Sequence, residues 1–209
     1  MTRRLPLLLA LALAGCFVEP YPVATVAVRL PASVGACAPA GPPPRSLAGC
    51  AAWVQLTVAG PAPGEPAAVA EAVPDGDDAL LEVQVAPGPD RRLSVYAYRA
   101  EGDGLRPWAL TPPQVLDLEA GEVRALDLTL DPAPTATITG LPDGATVSVV
   151  DRQAQVALPP VAVPADGLRV PAGRPLTLRA DADGVVVDLD CPALADRAVV
   201  TASEGCPSG

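Results

Sequence analysis

Histidine, lysine and asparagine are missing from these 209 residues, and Ile138 is the only isoleucine. These residues share A/T-rich codons, so their scarcity reads as the bias of a high-GC genome. The chemical consequence is direct. Without His there is no imidazole base, and without Lys neither a Schiff base nor a Ser–Lys dyad can form. No Gly-rich nucleotide loop is present. Paired carboxylates could in principle cleave glycosides, but the acids fall on turns and strand exteriors. Only six aromatic residues (Phe17, Tyr21, Trp53, Tyr96, Tyr98 and Trp108) are available to stack a sugar. The composition therefore points away from an enzyme, and nothing calls for a cofactor. Positive charge is also scarce: 14 Arg face 24 Asp plus Glu, a net charge of −10. Such a surface repels nucleic acid and anionic lipid.

The opening is the most informative stretch. Arg3 and Arg4 precede an apolar run from Leu5 to Leu13, broken only by Pro6. This run is far shorter than the ~20 residues of a membrane-spanning helix. A charged start, a short apolar middle and a small-residue end make a secretory signal. The ending Leu13-Ala14-Gly15-Cys16 resembles the lipobox of bacterial lipoproteins. That resemblance implies cleavage before Cys16 and a diacylglyceryl group on its thiol, with the small residues giving the protease access to the backbone. Ala12-Leu13-Ala14 also fits an ordinary A-x-A cleavage site, which would leave a secreted, unlipidated chain. Phe17 stands where many Gram-negative lipoproteins carry an Asp that retains them at the inner membrane, so the resemblance implies the outer membrane. Residues 1–15 are thus expected to be a signal peptide and 16–22 a lipidated tether, with the lipid on Cys16 as the membrane contact. Removal of Arg3 and Arg4 leaves 12 Arg against 24 acids, a net charge of −12 over 194 residues.

Four further cysteines, Cys37, Cys50, Cys191 and Cys206, suggest disulfides in an exported chain. Three pairings satisfy the count. The local pairs Cys37–Cys50 and Cys191–Cys206 are favoured because short loops close most readily. Each would close a loop of about 15 residues, worth roughly 3 kcal/mol in the chain-entropy account. Zinc is the alternative, against which stand the lack of any C-x2-C pair and of His.

No amphipathic helical pattern follows residue 16. Period-two alternation recurs instead: Val26, Val28 and Leu30; Val54, Leu56 and Val58; Leu81, Val83 and Val85; Leu126, Leu128 and Leu130. In "RLSVYAYR", Leu93, Val95 and Ala97 form the apolar set, and Ser94, Tyr96 and Tyr98 the opposite one. Weaker strands are expected at "AAVAEAV" and "QVLDLE". One apolar face per strand predicts an all-β protein with an antiparallel β-sandwich over 23–131, similar in pattern to Ig-like and transthyretin-like domains. A smaller β domain is expected over 132–209, with "DPAPTA" (131–136) as the linker. The run Pro142-Asp143-Gly144-Ala145-Thr146-Val147-Ser148-Val149 resembles the start of PEGA-type modules of bacterial envelope proteins.

The stretch "LTLRADADGVVVDLDC" predicts a hairpin with a type I′ turn at Asp183-Gly184. Its cross-strand pairs are then Ala182/Val185, Ala180/Val187, Leu178/Leu189 and Leu176/Cys191 on an apolar face. Arg179/Asp188 and Thr177/Asp190 lie on the polar one. A one-residue slip would turn the apolar set outward, so the register is well specified. Asp181, Asp183, Asp188 and Asp190 raise a calcium reading, set against solvated turn and ion-pair roles. Tyr96 and Tyr98 raise a glycan- or peptide-binding patch, set against burial under another sheet. The functional expectation is a non-enzymatic, membrane-anchored envelope lipoprotein acting as a binding or structural module. The alternatives are a calcium-dependent or glycan-binding adhesion module, and an accessory subunit that docks on an envelope complex through an edge strand.

Overall fold

The computed structural model describes residues 22–31, 47–62, 65–76, 78–101, 104–163, 165–171 and 173–207. Cys16 and Cys37, with the signal and tether expectations, lie outside the described residues. Within them the chain is all-β, and no helix is long and apolar enough to cross a membrane.

The amino-terminal part folds into nine strands: β1 (Ala24–Pro31), β2 (Trp53–Ala59), β3 (Ala68–Ala72), β4 (Asp78–Val85), β5 (Gly88–Glu101), β6 (Gly104–Leu110), β7 (Gln114–Leu118), β8 (Val123–Asp127) and β9 (Asp131–Pro132). One sheet runs β4-β1-β8; the other runs β3-β2-β5-β6-β9, with β7 also on β5. The predicted apolar sets close on each other between the sheets. Val26, Val28, Leu30, Val54, Leu56, Val58, Leu81, Val83, Val85, Leu93, Val95 and Ala97 form one buried cluster. At about 25 cal/mol per Å² of apolar surface, such burial is the dominant favourable term in the fold.

The carboxy-terminal part contributes β10 (Thr135–Thr139), β11 (Thr146–Asp151), β12 (Val156–Ala157), β13 (Val161–Ala162), β14 (Ala165–Arg169), β15 (Leu176–Ala182), β16 (Val185–Cys191) and β17 (Ala198–Thr201). Here β14-β10-β17 form one sheet, and β11 and β15-β16 the other, with β12 and β13 both on β11. The two strands flanking Pro142-Asp143-Gly144 do not pair, because the chain crosses there from one sheet to the other. Most pairings are antiparallel, but β8 lies parallel to β1 and β17 parallel to β10.

The 183–184 hairpin has the predicted register at every position, from Leu176↔Cys191 to Ala182↔Val185. Asp183 (φ 52°) and Gly184 (φ 81°) occupy the left-handed region that a type I′ turn needs. Cys191 is buried and disulfide-bonded to Cys206, with Cα atoms 5.2 Å apart. Cys50 is also disulfide-bonded. The far end of the hairpin departs from expectation. Val185 and Val187, on the apolar face, are 65% and 44% exposed, because β16 is the edge strand and none of the described residues covers its tip.

The segment expected to link the halves is built into both. Asp131 and Pro132 pair with β6, the Ala133 amide donates to the Trp108 carbonyl (3.0 Å), and the Val170 amide donates to the Pro134 carbonyl (2.9 Å).

Candidate functional site

Strand β5 decides how the halves meet. Its residues alternate between two cores: Leu93, Val95 and Ala97 enter the amino-terminal one, whereas Tyr96 and Tyr98 enter the carboxy-terminal one with Leu110. The two tyrosines therefore do not form an exposed ligand patch. They are 1% and 5% exposed, under the second sandwich, and their rings lie 6.2 Å apart. Burial raises both phenols well above their ordinary range. The negative charge of Asp151 adds to the shift at Tyr96, and that of Glu71 at Tyr98.

At the centre of this junction lies a polar group with no exposure. Arg174 and Asp151 are both fully buried and form an ion pair at 3.0 Å. Arg174 Nη1 also donates to Ser94 Oγ (2.5 Å) and Nη2 to the Thr111 carbonyl (2.7 Å), so one guanidinium from the second sandwich holds β5 and the end of β6 in the first. The carboxylate is saturated. Asp151 Oδ1 accepts from the amides of Gln153 (2.8 Å) and Ala154 (2.9 Å), and Oδ2 accepts from Arg174 and from the Tyr96 hydroxyl. A buried carboxylate has about four lone-pair positions, and all are used. Satisfaction of this kind is what lets a buried ion pair persist. Arg174 Nε, Thr57 Oγ1 and Trp108 Nε1 are buried without a hydrogen-bond partner among the described residues.

None of Arg174, Asp151, Ser94 and Thr111 was singled out from the sequence. Asp151 opens a tight turn, "DRQA", and caps it with its own side chain, a local signal that could have marked it. Arg174 has no such signal; its partners lie 23, 63 and 80 residues away.

The four acids of the hairpin are not gathered around one point. Asp188 accepts two hydrogen bonds from Arg179 (2.8 and 2.9 Å), which hold its carboxyl below the usual range. Asp190 accepts from Thr177 Oγ1 (2.6 Å) and lies 3.6 Å from Arg152, and Asp181 caps the Gly184 amide (3.1 Å). Among the described residues no group of three or more candidate ligands could hold a metal ion. Asp188 and Asp190 line a wide cleft of about 1120 Å³ between the sandwiches, with Arg92 and Val115 on its other wall.

On another side of the junction a second, smaller cavity of about 180 Å³ is lined by Arg106 and Pro107 from the first sandwich and by Leu158, Val161, Leu168 and Arg169 from the second. Two arginines, Arg106 and Arg169, are on its wall. Arg99 and Arg106 are direct cross-strand partners on β5 and β6. The Arg99 guanidinium stacks 3.8 Å from the centre of the Trp108 ring, and that of Arg169 lies 5.1 Å from it. A bulge makes this placement: Ala109 faces Ala97 and Pro107 faces Tyr98, which leaves Trp108 as the additional residue. Arg169 Nη1 donates to the Ala133 carbonyl (2.7 Å) and Arg106 Nη1 to the Pro160 carbonyl (2.9 Å).

The fold and its junction define a protein of two β-sandwiches joined through a shared strand and a buried polar pin. No protein-family model matches the chain, and no curated protein matches it. Among solved structures, it is similar to a proposed adhesin from Bacteroides ovatus, at a TM-score of 0.36 and 15% identity over 90% of this chain and 95% of that one. A fimbrial assembly protein from Parabacteroides distasonis gives a TM-score of 0.26 and 10% identity over 82% and 85%. A proposed cell adhesion protein from Bacteroides ovatus gives 0.24 and 9% over 88% and 93%. Likeness this distant carries no functional argument.

Proposed function

We propose that the protein is a non-enzymatic envelope lipoprotein, anchored at the outer membrane through Cys16, that presents its two sandwiches as one unit for binding or structural support. The observation that carries the reading is the buried Arg174–Asp151–Tyr96 pin. It fixes one sandwich on the other through buried side chains of both, so that the two are presented together. The lipobox-like Leu13-Ala14-Gly15-Cys16 supports the anchor, and the lack of His and Lys supports a binding role over catalysis. The adhesion alternative through Tyr96 and Tyr98 or through Asp181, Asp183, Asp188 and Asp190 loses support, since the tyrosines are covered and Asp181, Asp188 and Asp190 are engaged separately.

Intact-mass analysis of the protein extracted from membranes tests the anchor. A chain beginning at Cys16 and heavier by a diacylglyceryl group is expected, and Cys16→Ser should move the protein to the soluble fraction. A full-length chain still carrying Met1, with free thiols, would overturn the reading. A stable hydrolase activity that co-purifies with the protein would overturn its non-enzymatic half.

A further inference from the structure

We propose that the 180 Å³ cavity beside Arg106 and Arg169 binds a small apolar carboxylate, an acid about the size of one ring with a single carboxyl group. The proposal is independent of membrane anchoring.

Charge is the first ground. In a chain of net charge −10, arginine side chains find acids easily, and seven of them do so among the described residues. Arg99, Arg106 and Arg169 are in none of those ion pairs. Arg99 and Arg169 flank the Trp108 indole, and Arg106 faces Arg99 directly across the strands. Like charges directly opposite on a sheet are destabilising. Arg106 and Arg169 are on the cavity wall, so an anion bound there offsets positive charge that none of those ion pairs neutralises.

Hydrogen bonding is the second ground. Arg106 and Arg169 each donate one hydrogen bond to a backbone carbonyl, which fixes the guanidinium planes. Most of the five N–H donors of each remain without a partner among the described residues. A planar fork held in this way matches a carboxylate in a bidentate contact.

Volume and lining supply the third. Leu158, Val161 and Leu168 give the cavity apolar walls, and an apolar cavity of about 150 Å³ is known to accept benzene. A cavity of about 180 Å³ therefore takes a ring or a short branched chain, with the carboxylate turned to the arginines. Apolar walls with a few convergent polar groups are the usual anatomy of a small-molecule site.

The test uses the mature full-length protein, with benzoate as the probe and benzyl alcohol as its uncharged counterpart, by calorimetry and by quenching of Trp108 emission in a Trp53→Phe background. Saturable one-to-one binding of benzoate is expected, with a dissociation constant at or below about 1 mM, a strength within reach of so small a ligand. Benzyl alcohol should bind at least tenfold more weakly. Arg106→Gln with Arg169→Gln should weaken benzoate at least tenfold and leave benzyl alcohol unchanged. Absence of saturable benzoate binding, equal affinity for the two probes, or an unchanged affinity in the folded double variant would each overturn the proposal. The comparison of the two probes on the unmodified protein decides the matter even if the double variant does not fold.

Discussion

Replacing Arg174 by Met leaves an unbranched, shorter apolar side chain and removes the charge from the junction. The attraction lost is sizeable: two unit charges 3.0 Å apart interact by about 5 kcal/mol at an effective dielectric constant of ~20. Desolvation of both ions offsets most of this in the intact pair, so the pair itself adds little net stability. Removal of one partner is different, because the Asp151 carboxylate stays buried with no counter-charge. Loss of one member of such a pair costs about 3–5 kcal/mol. At roughly 2–4 °C per kcal/mol for a chain of this size, Tm should fall by about 6–20 °C. The diagnostic comparison is a double-mutant cycle with Asp151→Asn, which keeps the shape of the acid but not its charge. In that background the guanidinium is the charge left without a counter-ion, so Arg174→Met should cost less than about 1 kcal/mol or stabilise. Urea unfolding followed by tyrosine fluorescence and far-UV circular dichroism gives all four corners of the cycle. A cost below about 1 kcal/mol for Arg174→Met, or the same cost in both backgrounds, would refute a buried, mutually dependent pair.

Tyr96 should produce an alkaline limb in the stability curve. Its folded-state pKa is raised, chiefly by burial, so the folded chain holds the phenolic proton more tightly than the unfolded chain does. That contribution is fully present below the unfolded value of about 10 and is lost as pH rises through the folded one. Tyrosinate absorbance should therefore appear together with unfolding, and Tyr96→Phe should flatten the limb; titration of Tyr96 ahead of unfolding would contradict the burial. Cys191→Ser with Cys206→Ser should cost about 3 kcal/mol, judged from the loop the bond closes and read as the Tm difference between the oxidised protein and the variant. Gly184→Ala places a side chain at φ +81°, and a cost of about 1–2 kcal/mol is expected for an L residue held there; an unchanged Tm would mean that the turn is not type I′.

What could be read in advance follows from where the physics is local. The β15–β16 hairpin was legible in full because alternation and an Asp-Gly turn specify the same register. The apolar sets of β1, β2 and β4 were legible for the same reason. Strand β5 was half legible. Period two identifies two faces, but Ser94, Tyr96 and Tyr98 carry polar tips and so resemble a wet face, although each hydroxyl of the covered face can be met by a partner. Strand β6 was missed because Pro107 has no amide to give a ladder and marks instead the bulge that sets Trp108. The Arg174–Asp151 pin leaves no periodic trace, since its further partners Ser94, Tyr96 and Thr111 lie in the other sandwich, far away in sequence. The tip of the hairpin shows the converse: Val185 and Val187 share the apolar face by pattern, yet exposure at an edge depends on what the rest of the chain leaves uncovered.

The alternation of β5 between two cores also bears on inheritance. A boundary between domains is ordinarily where a gene can be cut and rejoined, because few contacts cross it. A cut near 131–134 in this chain would bare Tyr96, Tyr98 and Leu110 on one product and the Arg174–Asp151 pair on the other. A single inserted residue within β5 would exchange its two faces and spoil both cores together. Duplication, loss or transfer of this architecture should therefore carry both sandwiches as one heritable piece.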